Sequence, residues 1–407
     1  MAGLPVLHSE RRTASGSRIR ASIARIRLSA VGRTIAAGAG RVPYGLLFVL
    51  LVVAFLLNVG IGAVSVAPNQ VIVIIGRHID GHMQVVPGWD ALVQAGAWVG
   101  TFPPGAWLRD WLDVEVSNRQ DAVIWTIRLP RVLMGAVAGA GLAVSGAALQ
   151  GIFRNPLADP GLIGVSSGAA LGAVTAIVLN VTILGIWTLP VFAFGAGVLV
   201  TALVYLIARH EGRTEVVTLL LAGVAISAVI GAGVGLLITR ATDQQIRTVT
   251  FWTMGSLGGT LWNQIGIVTV VTAVGIAVVM RSGQALNLLV LGEREARHLG
   301  VHVERTRTIL MFTTAAMTGV SVAFTGAIGF VGLVVPHLVR LWLGPDHRRL
   351  LPCAALMGAS LLLIADLVSR TIVQPLELPI GVVTSLIGGP FFLWLLIKTR
   401  RQQGGWA

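Results

Sequence analysis

The chain has 407 residues, of which 55% are hydrophobic and 12% charged, and its mean hydropathy is +0.83. Soluble domains carry about 25% charged residues, so this composition excludes two or three soluble domains and predicts one large all-α polytopic membrane domain. The net charge of +13 is almost all arginine, with Lys398 the single lysine; the arginines fall between apolar blocks, which suits lipid headgroups and membrane topology rather than nucleic acid.

Residues 1–42 form a basic N-terminal tail with Arg11, Arg12, Arg18, Arg20, Arg25, Arg27, Arg33 and Arg41. It suits a positively charged tail that fixes orientation, and Ile19, Ile23 and Ile26 would also allow a basic surface helix. The apolar run that follows is long enough to span, so a cleaved signal peptide is not expected. A spanning helix needs about 20 apolar residues. Ten such blocks follow: 43–67, 130–151, 161–181, 187–208, 216–239, 263–281, 305–325, 328–344, 351–371 and 380–398. Between the first two lies 68–129, with Pro87, Pro103, Pro104, Trp89, Trp98, Trp107 and Trp111. Its prolines and charges argue against a full span, and its tryptophans suit the membrane–water interface. It is predicted to form short interfacial helices and loops.

Positive charge tests this layout. With both termini in the cytoplasm, inner segments collect 22 of the 30 basic residues and outer segments 8. Small residues such as Gly135, Gly139, Ser145 and Gly146 in the second span allow close helix packing.

Three motifs bear on chemistry. Gly164-Val165-Ser166-Ser167-Gly168 matches the nucleophile-elbow pattern but opens a transmembrane block, with no strand before it. Packing or capping is the expected role of both serines. His298 and His302 could share a helix face, but the segment shows no further ligand set. With one cysteine, Cys353, there is no internal disulfide and no Cys-cluster metal site. No lysine-bearing phosphate loop occurs, so any ATP-driven transport needs a separate ATPase subunit. Asp366 is the one acid within a span. It suits either a functional intramembrane charge or an i,i+4 pair with Arg370.

The inner segment 282–304 alternates Leu286, Leu288, Leu289, Leu291 and Leu299 with Glu293, Arg294, Glu295 and Arg297. Two short helices hinged at Gly292 would satisfy it. Such a pair could dock a soluble partner or rest on headgroups.

Four stretches carry a family resemblance. They are RLPRVLMGAVAGAGLAVSGAALQGIFRNPLADPGLIGVSSGAALGA from Arg128, FWTMGSL from Phe251, GAIGFVGLVVPHLVRLWLGPDHRRLLP from Gly326 and ELPIGVVTSLIGGPFFLWLL from Glu377. Together they resemble the FecCD permeases of ATP-driven importers of ferric siderophores, haem and cobalamin. The resemblance implies a permease domain over 43–401 and a short tail at 402–407. It implies a type II importer architecture with ten helices, no enzyme activity and no cofactor. It further implies a second permease subunit (a second copy or a paralogue), two ATP-binding cassette subunits and an extracytoplasmic binding protein.

By the same resemblance, 282–304 matches the paired coupling helices that meet the ATPase, with Leu289, Gly292, Glu293, Arg294, Glu295, Arg297 and His298 as contacts. Arg128, Arg131 and Arg370 match arginines that meet glutamates of the binding protein at the outer mouth. Met254, Gly255 and Ser256 fall in a short helix near the mouth or gate. The expected cargo is a ferric siderophore, with haem or cobalamin as the alternative. An ion-coupled secondary transporter is the competing class, but only Asp366 could couple an ion. Two departures from the family are the length of 68–129 and the tail 1–42.

Overall fold

A computed structural model describes residues 42–62, 64–83, 111 and 113–402. The tail arginines, the prolines and tryptophans at 87–107 and residues 403–407 lie outside the described residues. The chain divides into two units, 1–49 and 50–407. The second carries the architecture set out below.

The structure is almost wholly helical. In chain order the helices are α1 (Val42–Gly60), α2 (Pro68–Met83), α3 (Asn118–Phe153, with a π-helical stretch at Val123–Arg128), α4 (Val165–Val178), α5 (Thr188–Ile207), α6 (Val216–Ile238) and α7 (Asp243–Met254). There follow α8 (Trp262–Arg281), α9 (Gly283–Leu291), α10 (Glu293–His298), α11 (Val303–Thr325), α12 (Val331–Leu343), α13 (His347–Thr371) and α14 (Ile380–Gln402). Among the described residues six helices are long and apolar enough to cross a membrane: α3, α5, α6, α8, α11 and α13. The helices α1, α4, α12 and α14 are apolar but shorter. A two-residue hairpin, β1 (Arg209–His210) with β2 (Arg213–Thr214), joins α5 to α6. Its turn residues Glu211 and Gly212 both have positive φ, as a tight two-residue turn demands.

Helix α3 is the axis of the bundle. It packs against α8, α11, α12 and α13, while α4 pairs with α5. Glycine makes this possible at two crossings. A Cβ on Gly139 would collide with the Gly358 carbonyl of α13, and one on Gly146 with the Gly332 carbonyl of α12. Without a hydrophobic drive between helices in lipid, such close approach supplies the dispersion contact that holds them. Helix α6 is the opposite case. Val217, Leu221, Val229 and Leu236 lie exposed along it, as for a surface that meets lipid or another subunit.

The described part of 68–129, expected as short interfacial helices and loops, holds the 16-residue helix α2 and the start of α3 at Asn118, twelve residues before the expected span. A capping box starts α3, with Ser117 Oγ accepting from Gln120 N–H. Val71 and Ile74 of α2 are buried with Ile124, Leu129, Val132 and Leu363. Gln120 donates to Gln70 at 3.1 Å, and His78 stacks on Trp125 with centroids 4.1 Å apart. The first span also ends early, at Gly60 rather than 67, because the chain turns there toward Pro68, whose ring can open a helix but not continue one.

Gly139→Val and Gly146→Val are expected to destabilise the bundle by about 1–3 kcal/mol or more through overpacking. Gly231→Ala in α6, where an added Cβ meets open space, should be neutral. Thermal unfolding of the purified protein in detergent checks both.

Candidate functional site: two charged ends of the bundle

Helix α3 runs about 36 Å over its α-helical part, 129–153, and carries a polar cluster at each end. At its N-terminal end, the outer one in the expected topology, are the three arginines expected to face a partner. Their guanidinium groups are instead engaged within the chain. Arg128, only 4% exposed, donates to the carbonyls of Val59 at 2.7 Å and Gly60 at 3.0 Å and to that of Val64. Arg370 donates to the carbonyls of Asn58 at 2.8 Å and Ile61 at 3.3 Å, and to the Asn58 side chain. Asn58 in turn donates to the Leu363 carbonyl of α13. The two arginines therefore cap the last turn of α1, whose carbonyls have no partners in their own helix and carry the negative end of its dipole.

Arg131 joins this cap to a set of charges. Its Nε donates to Asp366 Oδ1 at 2.9 Å, and Asp366 Oδ2 pairs with Arg370 Nε at 3.2 Å. Asp366 is fully buried. The i,i+4 pair with Arg370 is thus present, and Arg131 completes it from another helix. The other arm of Arg131, Nη1, reaches both oxygens of Glu377 at 3.1 and 2.9 Å. Glu377 is the one member of the set that is half-exposed, at 52%. Asn58 and Glu377 went unrecognised in the sequence. Their only signals were an asparagine closing an apolar run and a lone acid among apolar residues before the last span.

At the inner end, α9 and α10 meet at Gly292, which has a φ of 134°. Leu286 and Leu289 point into the protein, so Leu289 is a core residue and not a surface contact. The surface is made by Val290, Leu291, Arg294, Glu295, Arg297, His298 and Leu299. Glu293 is partly buried because it serves a local network. Buried Arg307 of α11 pairs with Glu293 at 2.5 Å and Glu304 at 2.8 Å, and donates to the Thr214 carbonyl of the hairpin at 3.1 Å. Asn287 of α9 donates to Asp346 at 2.6 Å and accepts from the His347 N–H at 2.8 Å. Burial tends to raise the Asp346 carboxyl, but bonds from Asn287 and the Arg348 N–H, with Arg349 and Arg348 nearby, hold it below the usual carboxylate range. The contribution of this clamp to stability is therefore present above the ordinary carboxylate pKa and is lost as pH falls through the lower folded value.

The residues Met254, Gly255 and Ser256 occupy a junction of three segments. The Ser256 N–H donates to the Thr325 carbonyl at 2.8 Å, and the Ile380 N–H to the Gly255 carbonyl at 3.0 Å. A Cβ on Gly255, Gly326 or Gly381 would press on a backbone carbonyl of a neighbouring segment. This places the end of α7 against the ends of α11 and α14. In the elbow-like motif Ser167 packs α4 on α6: its Oγ donates to the Gly164 carbonyl at 3.1 Å and contacts Ser227 Oγ at 2.9 Å. Among the described residues no group of three or more His, Cys, Asp or Glu side chains could hold a metal.

A buried apolar axis, one charged rim and one surface helix pair define a multi-pass membrane permease. Residues 50–398 match the FecCD transport family, and the chain belongs to that family, a group of ABC transporter permeases that are transport subunits without an ATPase site of their own. It is 46% identical to the hemin transport system permease HmuU of Yersinia pestis over 71% of this chain and 88% of that protein. It is 42% identical to the cobalamin import permease BtuC of Halobacterium salinarum, covering 86% of this chain and 94% of that one. A solved structure described as an inward-facing metal-chelate type ABC transporter superposes with a TM-score of 0.70 at 32% identity, covering 88% of this chain and 99% of that one.

Asp366→Asn is expected to destabilise the outer end by about 3–5 kcal/mol, since it leaves two buried arginines without their shared counter-charge. Arg128→Ala should also destabilise, by uncapping α1. Thermal unfolding in detergent measures each. A loss for Asp366→Asn no larger than that for an exposed ion pair would contradict the burial argument.

Proposed function

We propose that this chain is the permease subunit of an ATP-driven importer that moves a haem- or cobalamin-class metal chelate across the inner membrane. The observation that carries the cargo class is the kind of relative it matches at 42–46% identity: hemin and cobalamin permeases. This favours the alternative over the ferric siderophore expected from the sequence. Both cargoes are large chelates with a planar ring around the metal. Transport of either needs a wide path and no ligation by the path itself.

The reading assigns ten spans, α1, α3–α6, α8 and α11–α14, with both termini in the cytoplasm. Two permease subunits, a second copy or a paralogue, enclose the path between them. An extracytoplasmic binding protein docks at the rim that holds Arg128, Arg131 and Arg370. Two ATP-binding cassette subunits dock on α9 and α10. Each partner then biases a two-state element, outward-open against inward-open. Met254, Gly255 and Ser256 lie at the outer gate. The distribution of basic residues and the separation of the two charged ends of α3 support this layout.

Vesicles holding the permease, its ATPase and its binding protein are expected to take up haem or cobalamin in an ATP-dependent manner. Ferric siderophores in excess should compete poorly. Uptake driven by an ion gradient without ATP would remove the proposal in favour of a secondary transporter. On the inner face, Leu291→Asp and Arg294→Glu should reduce co-purification of the ATPase and uncouple its turnover. Leu289→Ala should instead lower thermal stability, because that side chain is buried.

A further inference from the structure

The outer charge cluster contains one member unlike the rest. Arg131 and Asp366 are buried and bonded to each other. Glu377 holds Arg131 from the solvent side with a half-exposed carboxylate. An ion pair with one partner in water is weak, whereas a fully buried one resists disruption. Of the two acids on Arg131, only Glu377 is therefore exchangeable. The guanidinium itself is almost completely covered, so another carboxylate can reach it from outside only by taking the place of Glu377.

Glu377 is also tied to the junction at the end of α7. A Cβ on Gly258, two residues past Ser256, would stand 3.9 Å from Glu377 Oε2. The Leu378 N–H donates to the Ser369 carbonyl at 3.0 Å, next to the buried cluster on α13. Three residues after Glu377, the Ile380 N–H bonds the Gly255 carbonyl, and Gly381 packs on the Met254 carbonyl. A displacement of Glu377 thus acts within four residues on the segment 254–258.

We infer that Glu377 is a latch: a carboxylate on the docking partner displaces it from Arg131, and the freed loop 372–379 shifts the glycine junction at Gly255. The inference rests on the docking reading above and adds a resting-state competitor to it. The partner surface it fits is acidic, because the arginine fork accepts a carboxylate bidentately. Arg131 never loses Asp366 in this exchange, so the buried charge stays neutralised while the outer bond changes hands.

The test uses the permease–ATPase complex in nanodiscs with the fluorescently labelled binding protein of the same system. Glu377→Gln removes the competing charge and uncovers Arg131. It is expected to tighten docking on the order of tenfold, as for one charged hydrogen bond no longer contested. Glu377→Asp keeps the charge but shortens its reach, and should fall between the two. Unchanged or weaker docking by Glu377→Gln overturns the latch. A second readout needs no partner: spin labels at the exposed positions Leu376 and Thr253 report the loop against α7. In Glu377→Gln their distance distribution should move away from that of the undocked wild type. An identical distribution overturns the link to the junction. Failure of the wild type to bind the protein at all would remove the docking reading, and the label distances would then decide the latch alone.

Discussion

A carbonyl in the last turn of a helix has no partner in its own helix, so where it is buried it must find one elsewhere in the protein. The end of α1 finds Arg128 and Arg370. Arg370 brings a charge to that point that requires an anion, and Asp366 supplies it at full burial. Arg131 then couples the same acid to α3. The arrangement of α1, α3 and α13 at the outer end follows from this one requirement. The close glycine crossings at Gly139 and Gly146 extend it along the bundle by contact alone.

The same requirement explains why the arginines were only half legible. Their number and their spacing could be read from the chain. Their direction could not, because an arginine that faces a partner and one that caps a neighbouring helix occupy the same place in sequence. For Arg128 the deciding partners are the carbonyls of Val59 and Gly60, 69 and 68 residues earlier in the chain. Leu289 and Leu291 show a similar limit at the inner end. Both sit in one amphipathic stretch, but the turn at Gly292 sends the first into the core and leaves the second on the surface. The long apolar helices were readable because membrane thickness fixes their length. Helix α2 was less legible, since its apolar run, 71–75, is far shorter than a span and is followed at once by Arg77, His78 and Asp80.

The two ends of the bundle are built on different principles. Outside, charges are buried first and one acid is left reachable. Inside, the buried charge is Arg307, and it locks α10 and the β-hairpin to α11. Asn287 adds a second fastening, to α13. The surface helices α9 and α10 are thereby fixed to two long helices, so a movement of the pair passes into the bundle rather than into a free loop.

The π-helical stretch at Val123–Arg128 has a consequence for how this chain can vary. It adds backbone to one turn, so the outer extension 118–122 is indexed separately from the 25 residues of α3 below it. Helix α2 is fastened to that extension through Gln70 and Gln120 and through His78 on Trp125. The extension with α2 and the glycine-packed interior are in this sense two independently threaded parts. Insertions or losses between Gly62 and Asp121 can be absorbed at the wide turn, as slack in a collar, without rotating a single glycine of α3 out of its crossing.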